Sequence, residues 1–105
     1  FRKDHPQYRL AKKQMSGGGG VVTFEVAGGK KAAFKVAKAL KLVDVSNNLG
    51  DTKSLLTHPA TTTHQRLTPE ARREAGVADG MLRIAVGLED VADICDDLAQ
   101  ALKRL

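Results

Sequence analysis

The chain has 105 residues, of which 17 are Lys or Arg and 12 are Asp or Glu, so its formal net charge is +5. This length predicts a single domain, and 42% hydrophobic residues supply an ordinary globular core rather than a disordered chain. The absence of an apolar run of ~20 residues excludes a membrane-spanning helix, and the single cysteine, Cys95, excludes an internal disulfide and a multi-cysteine zinc site.

The spacing of the apolar residues predicts eight secondary-structure elements. In chain order they are a helix after Pro6, a strand at 21–26, a helix at 30–40, strands at 42–45 and 54–58, a helix from Thr68 to Gly76, a strand at 81–86 and a helix at 89–105. Four glycines at 17–20 separate the first helix from the first strand. This order predicts an α+β fold, with a small, mainly antiparallel four-stranded sheet and helices packed on one face.

Two elements define the predicted core. In the strand at 81–86, alternation places Leu82, Ile84 and Val86 on the helix-covered face and Arg83 on the other face. The last helix is expected to bury one apolar stripe, made of Val91, Ile94, Cys95, Leu98, Leu102 and Leu105. Cys95 is therefore predicted to be a buried packing residue rather than a nucleophile.

Basic residues are concentrated in the first part of the chain. Residues 1–41 hold ten Lys or Arg and two acidic residues, whereas residues 42–105 hold seven basic and ten acidic residues. A basic half is typical of nucleic-acid-binding proteins, but the four aromatic residues form no stacking platform flanked by Lys or Arg. We therefore interpret Lys31, Lys35 and Lys38, which share one helix face, as a solvated surface.

Three further features have simple interpretations. The glycines at 17–20 precede a strand, whereas a phosphate-binding loop follows a strand and opens a helix, so they are interpreted as a connector. His58 and His64 have no Cys or acidic residue at ligand spacing, so no metal site is predicted. Lys53 lies in a polar loop without the desolvation that lowers the pKa of a Schiff-base lysine, and is predicted to be a surface lysine.

Arg83 is the unusual residue, because it lies in mid-strand between Leu82 and Ile84. An arginine in a strand needs either a partner or an open face. One interpretation is a solvent-facing side chain. The other is a clamp, in which the planar guanidinium binds a carboxylate through two hydrogen bonds. The pattern alone leaves both interpretations open.

Four blocks, in order along the chain, carry motifs that occur together in one enzyme family. They are QMSGGGGVVTFE at 14–25, NLGDTKSL at 48–55, HPATTTHQ at 58–65 and GMLRIAVGLED at 80–90. Together they resemble the pyridoxal-phosphate-dependent enzymes of cysteine and methionine metabolism. Within that family, the segment SNNLGD at 46–51 is most similar to that of the O-succinylhomoserine sulfhydrylases.

The resemblance implies that the chain is only a C-terminal domain. Residues 16–105 would be the small domain, and residues 1–15 an interdomain segment next to a large cofactor domain that is absent; a first residue other than Met leads to the same expectation. Because the Schiff-base lysine and the other pyridoxal phosphate ligands would lie in that large domain, no catalytic, cofactor-binding or metal-binding residue is expected here.

Three residues match substrate-binding positions of the family. Arg83 takes the place of the arginine that binds the substrate α-carboxylate. Asn48 takes the place of an Asn or Ser that contacts the same carboxylate, and Thr63 matches a threonine that lines the pocket. Ala85 stands where the family often has Ser, a departure that affects local packing more than chemistry.

The resemblance implies a transferase that replaces the succinyl group of O-succinylhomoserine with a sulfur nucleophile, giving homocysteine for methionine biosynthesis. The full-length enzyme would be a cytoplasmic homotetramer, and the isolated chain would be inactive. Cystathionine gamma-synthase and methionine gamma-lyase are alternatives within the family. A stand-alone α+β binding or interaction domain is the alternative outside it. Neither a nucleic acid nor a membrane is expected as a partner.

Overall fold

The computed structural model describes residues 1–105 and contains a four-stranded sheet with four α-helices. The strands are β1 (Val21–Glu25), β2 (Asp44–Val45), β3 (Leu55–Thr57) and β4 (Met81–Ala85). The helices are α1 (Tyr8–Gln14), α2 (Gly29–Ala39), α3 (Pro69–Glu74) and α4 (Val91–Leu102), and a 3-10 helix covers Pro59–Thr61. None of these helices combines the length and apolar character needed to cross a bilayer.

The sheet has the order β1-β4-β3-β2. Strand β4 is an inner strand and runs antiparallel to both β1 and β3, whereas the short edge strand β2 runs parallel to β3. Two of the three pairings are therefore antiparallel, and the predicted α+β class and mainly antiparallel sheet are confirmed. The parallel pair is joined by the loop at 46–54.

Helices α2 and α4 pack on one face of the sheet and enclose the core. The buried apolar residues that contact one another there are Val26, Ala33, Val36, Val43, Leu56, Leu82, Ile84, Ile94 and Ala101. Leu56 and Leu82, from adjacent strands, are completely inaccessible to solvent. Burying one such side chain contributes about 1.5–3 kcal/mol, so this face of the sheet supplies most of the hydrophobic stabilisation.

The buried stripe of α4 differs from the predicted one. Cys95 is exposed, so its prediction as a buried packing residue was wrong. The predicted stripe residues Val91, Leu102 and Leu105 are also exposed, as is Val86, which follows the end of β4. The buried positions of α4 are Ile94, Asp97 and Ala101. Compared with the predicted orientation, α4 is thus rotated about its axis so that Asp97 is buried and Cys95 is exposed.

Asp97 explains this rotation, because its carboxylate binds the chain that leaves α2. It accepts the backbone N–H groups of Lys41, Leu42 and Val43 at 2.8, 2.8 and 3.0 Å. The Gln100 amide also donates to Asp97, at 3.0 Å. Burial alone would raise the pKa of Asp97, but the three backbone N–H groups and Gln100 stabilise the carboxylate and lower its pKa overall. The carboxylate therefore fixes α4 to the end of α2.

The short helix α3 begins as predicted. The Thr68 hydroxyl accepts the backbone N–H of Ala71 at 3.2 Å, and Pro69 occupies the first helical position. This N-cap satisfies one of the free N–H groups of the first turn. The predicted cap at Thr68 is therefore confirmed.

Candidate functional site

Arg83 lies at the centre of the inner strand β4. Its register neighbours are Thr23 on β1 and Thr57 on β3. Because successive residues of a strand point to opposite faces, the Arg83 side chain leaves the sheet on the face opposite the buried Leu82 and Ile84. Arg83 is thus on the face that α2 and α4 do not cover.

The guanidinium of Arg83 is only partly satisfied within the chain. Its Nη2 donates to the backbone carbonyl oxygen of Asn47 at 3.4 Å, while its Nε–H is shielded from solvent and has no acceptor. The Nε–H of Arg72 is likewise buried without an acceptor, but the Arg72 Nη2 lies 3.8 Å from Asp79, whereas no carboxylate forms an ion pair with Arg83. A buried donor without an acceptor costs about 1–3 kcal/mol. The arrangement therefore favours binding of an anion that accepts these N–H groups.

The loop at 46–54 brings two asparagines beside Arg83. The carbonyl oxygen of Asn47 contacts Arg83 directly, and the Asn47 side-chain oxygen lies 3.5 Å from the Thr57 hydroxyl. Asn48 is the next residue; it is exposed, and its side chain makes no hydrogen bond within the chain. The backbone of Asn48 is thus one residue from the Arg83 contact, and its amide is available to a ligand.

Thr63 is less closely associated with Arg83. It follows the 3-10 helix and is exposed, and its hydroxyl lies 2.7 Å from Nδ1 of His64. No hydrogen bond joins Thr63 to Arg83 or Asn48. Of the three residues matched by the resemblance, Asn48 is thus the sequence neighbour of the residue that contacts Arg83, and neither Asn48 nor Thr63 forms a hydrogen bond with Arg83 itself.

Two other threonines connect this region to the sheet. The Thr62 hydroxyl donates to the carbonyl oxygen of His58 at 2.9 Å and lies 3.0 Å from the Thr57 hydroxyl. Thr57 is buried and stands directly opposite Arg83. Sequence reasoning did not identify these residues, because alternation within single strands does not give the register between them.

The end of the same loop is anchored to the start of the last helix. The Glu89 carboxylate accepts the backbone N–H and the hydroxyl of Ser54, both at 2.7 Å. The backbone N–H and then the hydroxyl of Ser54 stabilise this carboxylate, so that the pKa of Glu89 is lowered. The Ser54 oxygen in turn accepts the N–H of Gly87 at 2.9 Å. This anchor was also missed from the sequence.

The lysines of this chain do not fit a covalent pyridoxal phosphate site. Lys53 Nζ lies 2.6 Å from the Asp44 carboxylate, and this hydrogen bond and charge raise the pKa of Lys53. All the lysines are exposed, so none lies in a desolvated pocket of the kind that activates a Schiff-base lysine. The prediction of Lys53 as a surface lysine is confirmed.

The buried His58 is engaged at both ring nitrogens. Its Nε2 donates to the carbonyl oxygen of Asp79 at 2.7 Å, and its Nδ1 lies 2.8 Å from the Thr61 hydroxyl. The Phe34 ring packs beside it, with ring centroids 5.1 Å apart. Nowhere do three His, Cys, Asp or Glu side chains converge on a possible metal position. His58 is therefore a structural residue.

Comparisons with known proteins identify the chain's relatives. Residues 2–103 match the model of the family described as Cys/Met metabolism PLP-dependent enzyme. The chain is 57% identical to an O-succinylhomoserine sulfhydrylase of Mycobacterium tuberculosis, over 97% of the chain and 26% of the relative. It is 46% identical to an L-methionine gamma-lyase of Fusobacterium nucleatum, over 96% of the chain and 26% of the relative.

A solved structure agrees with these matches. A cystathione gamma lyase from Micromonospora echinospora superposes with a TM-score of 0.87 at 36% identity, covering 97% of this chain and 26% of that one. The chain thus spans about a quarter of the length of the relatives it matches.

Proposed function

This chain belongs to the family of Cys/Met metabolism PLP-dependent enzymes, and from that premise we propose that residues 16–105 are the C-terminal domain of an O-succinylhomoserine sulfhydrylase. The observation that carries the proposal is Arg83, a mid-strand guanidinium with a buried, unpartnered Nε–H and no carboxylate partner in its own chain. The choice of subfamily is supported by the identity of 57% to a sulfhydrylase, against 46% to a methionine gamma-lyase.

In this proposal Arg83 binds the α-carboxylate of the substrate. A planar guanidinium presents parallel N–H groups that match the two carboxylate oxygens. Hydrogen bonds to charged groups contribute about 1.5–3 kcal/mol each, and the ligand would also satisfy the donor that is buried without an acceptor. The Asn48 amide donates to the same carboxylate, and the Thr63 hydroxyl lines the pocket.

The chemical step divides between this chain and the rest of the enzyme. Pyridoxal phosphate supplies an electron sink when bound, and since no lysine here fits it, we assign its binding to the part of the relatives that this chain does not cover. This chain orients the substrate: a carboxylate held at two points limits rotation of the amino acid about its Cα bonds. At the γ-carbon a C–S bond forms with the sulfur nucleophile, the C–O bond breaks, and succinate leaves.

The segment at 1–15 is proposed to contact the large domain. Helix α1 has no buried residue, and Leu10 and Met15 are about half exposed, at 49% and 45%. A partly apolar helix that buries no residue in its own chain is typical of a segment with a partner elsewhere. On the family resemblance we propose a homotetramer, and the lone cysteine is consistent with the cytoplasm. The chain by itself is expected to be inactive.

The test is a substrate comparison on the full-length enzyme that contains this chain. O-succinylhomoserine and O-acetylhomoserine are each assayed with sulfide and with cysteine, and methionine is assayed alone. The proposal predicts the highest kcat/KM for the succinyl ester with sulfide and release of homocysteine. Preferred formation of cystathionine from cysteine, or of methanethiol from methionine, would instead assign the chain to one of the two alternative activities.

A further inference from the structure

The Glu89 carboxylate connects, through hydrogen bonds, the two segments that carry the proposed substrate-binding residues Arg83 and Asn48. Arg83 lies on β4, four residues before Gly87, and Asn48 lies in the loop that ends at Ser54. The Glu89 carboxylate accepts two hydrogen bonds from Ser54, and the Ser54 hydroxyl oxygen accepts one from the N–H of Gly87. We propose that Glu89 is a positioning residue, which fixes the loop carrying Asn48 relative to Arg83; this inference rests on the proposed function.

The anchor is much tighter than the contact at the site itself. Both Glu89 bonds to Ser54 are 2.7 Å long, and the backbone N–H of Leu88 adds a 2.8 Å bond to the carbonyl oxygen of Thr52. At the other end of the loop, Arg83 reaches the Asn47 carbonyl only at 3.4 Å. The start of the loop is held by the Ser46 N–H, which donates to the carbonyl oxygen of Leu56 at 3.0 Å. Because the Arg83 contact is long and weak, the position of the loop is determined by these bonds at its two ends.

The two backbones are in direct contact at this anchor. A Cβ atom added at Gly87 would lie 2.4 Å from the carbonyl oxygen of Thr52 and 2.5 Å from the backbone nitrogen of Ser54. Only glycine permits this approach. Ser54 is completely buried, so without Glu89 its N–H would lose its acceptor in a place that water does not reach. Loss of the carboxylate is therefore expected to separate the loop from β4.

The ion pair between Lys53 and Asp44 does not explain the position of the loop. Lys53 and Asp44 are 2.6 Å apart, but both side chains are about half exposed, at 49% and 58%. Exposed pairs contribute little, because water screens the charges and the side chains lose freedom. Glu89, with two short bonds to a buried residue, carries the anchoring role instead.

The experiment uses the full-length enzyme with Glu89→Ala, and with Ser54→Ala as a second variant. Asp93→Ala is the matched control, because Asp93 is an exposed acidic residue in the first turn of α4 without a hydrogen bond from its side chain. Both anchor variants are expected to raise KM for the homoserine ester about tenfold and to change kcat less than about threefold, the pattern of weakened substrate binding. Amide hydrogen exchange at 46–53 should rise in both and stay unchanged in the control.

The other possible results would each reject a named part of the proposal. Folded anchor variants with unchanged KM or unchanged exchange at 46–53 would overturn the role of Glu89, and so would failure of both variants to fold, since Glu89 would then be purely structural. Arg83→Lys is measured in parallel. If it raises KM while Glu89→Ala does not, the positioning role of Glu89 is rejected and the carboxylate clamp is kept. If Arg83→Lys has no effect, the carboxylate clamp fails and the positioning role fails with it.

Discussion

The Nη2 atom of Arg83 and the backbone carbonyl oxygen of Asn47 are 3.4 Å apart, and this is the only hydrogen bond of the Arg83 side chain within the chain. A guanidinium offers five N–H donors, so most of its capacity is unused. Its Nε–H is buried as well, and water therefore does not compensate. In our proposal the missing partner is an anion from outside this chain, namely the substrate α-carboxylate.

Asp97 is predicted to be a major determinant of stability. Asp97→Ala leaves three backbone N–H groups without their acceptor, and the free energy of unfolding is expected to fall by about 3 kcal/mol. Urea denaturation measures the change. Asp96→Ala is the control, because Asp96 is exposed and makes no hydrogen bond; its effect should stay within about 0.5 kcal/mol. Equal effects of the two substitutions would contradict the capping role of Asp97.

The same residue predicts a pH dependence of stability. The pKa of Asp97 is lowered in the folded chain, so its contribution is present above the unfolded pKa of about 3.9 and is lost as the pH falls through the folded pKa. The difference in unfolding free energy between wild type and Asp97→Asn should therefore be largest near neutral pH and shrink under acid conditions. A difference that is constant from pH 7 to pH 3 would show that the charge of Asp97 does not contribute.

Local patterns predicted the elements of this fold well. Leu82 and Ile84 are buried and Arg83 is on the opposite face, because alternation in a strand follows directly from backbone geometry. The cap at Thr68 is equally local, since it needs only neighbouring residues. These features could be predicted without knowing what the elements pack against.

Features that depend on distant residues could not be predicted. Asp97 is buried, and Cys95 exposed, because Asp97 binds backbone N–H groups more than 50 positions earlier in the chain. Helical spacing alone predicts the opposite, with Cys95 on the buried side of α4. Likewise, the Ser54–Glu89 anchor joins residues 35 positions apart. The strand pattern singled out Arg83 but left its role undecided, and the substrate-binding roles that we propose for Arg83 and Asn48 rest on the family resemblance.

Lys53 is predicted to resist stoichiometric modification by pyridoxal phosphate. Its pairing with Asp44 raises its pKa, which keeps the amine protonated and unreactive. Incubation of the isolated chain with pyridoxal phosphate, borohydride reduction and peptide mass spectrometry should give only scattered, substoichiometric labelling of surface lysines. Saturable one-to-one labelling of Lys53 would show that this chain holds a cofactor site of its own.

The segment at 1–15 is predicted to be loosely held in the isolated chain. Helix α1 buries no residue, and short helices without tertiary packing are marginal in water. Amide hydrogen exchange of the monomeric chain should be fast throughout 1–15 and slow in β4 and α4. Slow exchange in α1 would show that it packs within this domain, and its proposed contact with the large domain would lose its support.

The central claim is that Arg83 binds the substrate α-carboxylate, and the most direct measurement combines Arg83→Lys with removal of that group from the substrate. In the full-length enzyme, Arg83→Lys keeps the charge but loses the planar fork. The kcat/KM for O-succinylhomoserine should fall about 30- to 1,000-fold, corresponding to about 2–4 kcal/mol. With the α-carboxamide analogue, wild type and variant should be nearly equal, and folding and cofactor absorbance should not change. An equal loss with both substrates, or a near-wild-type kcat/KM for the carboxylate substrate, would contradict the account.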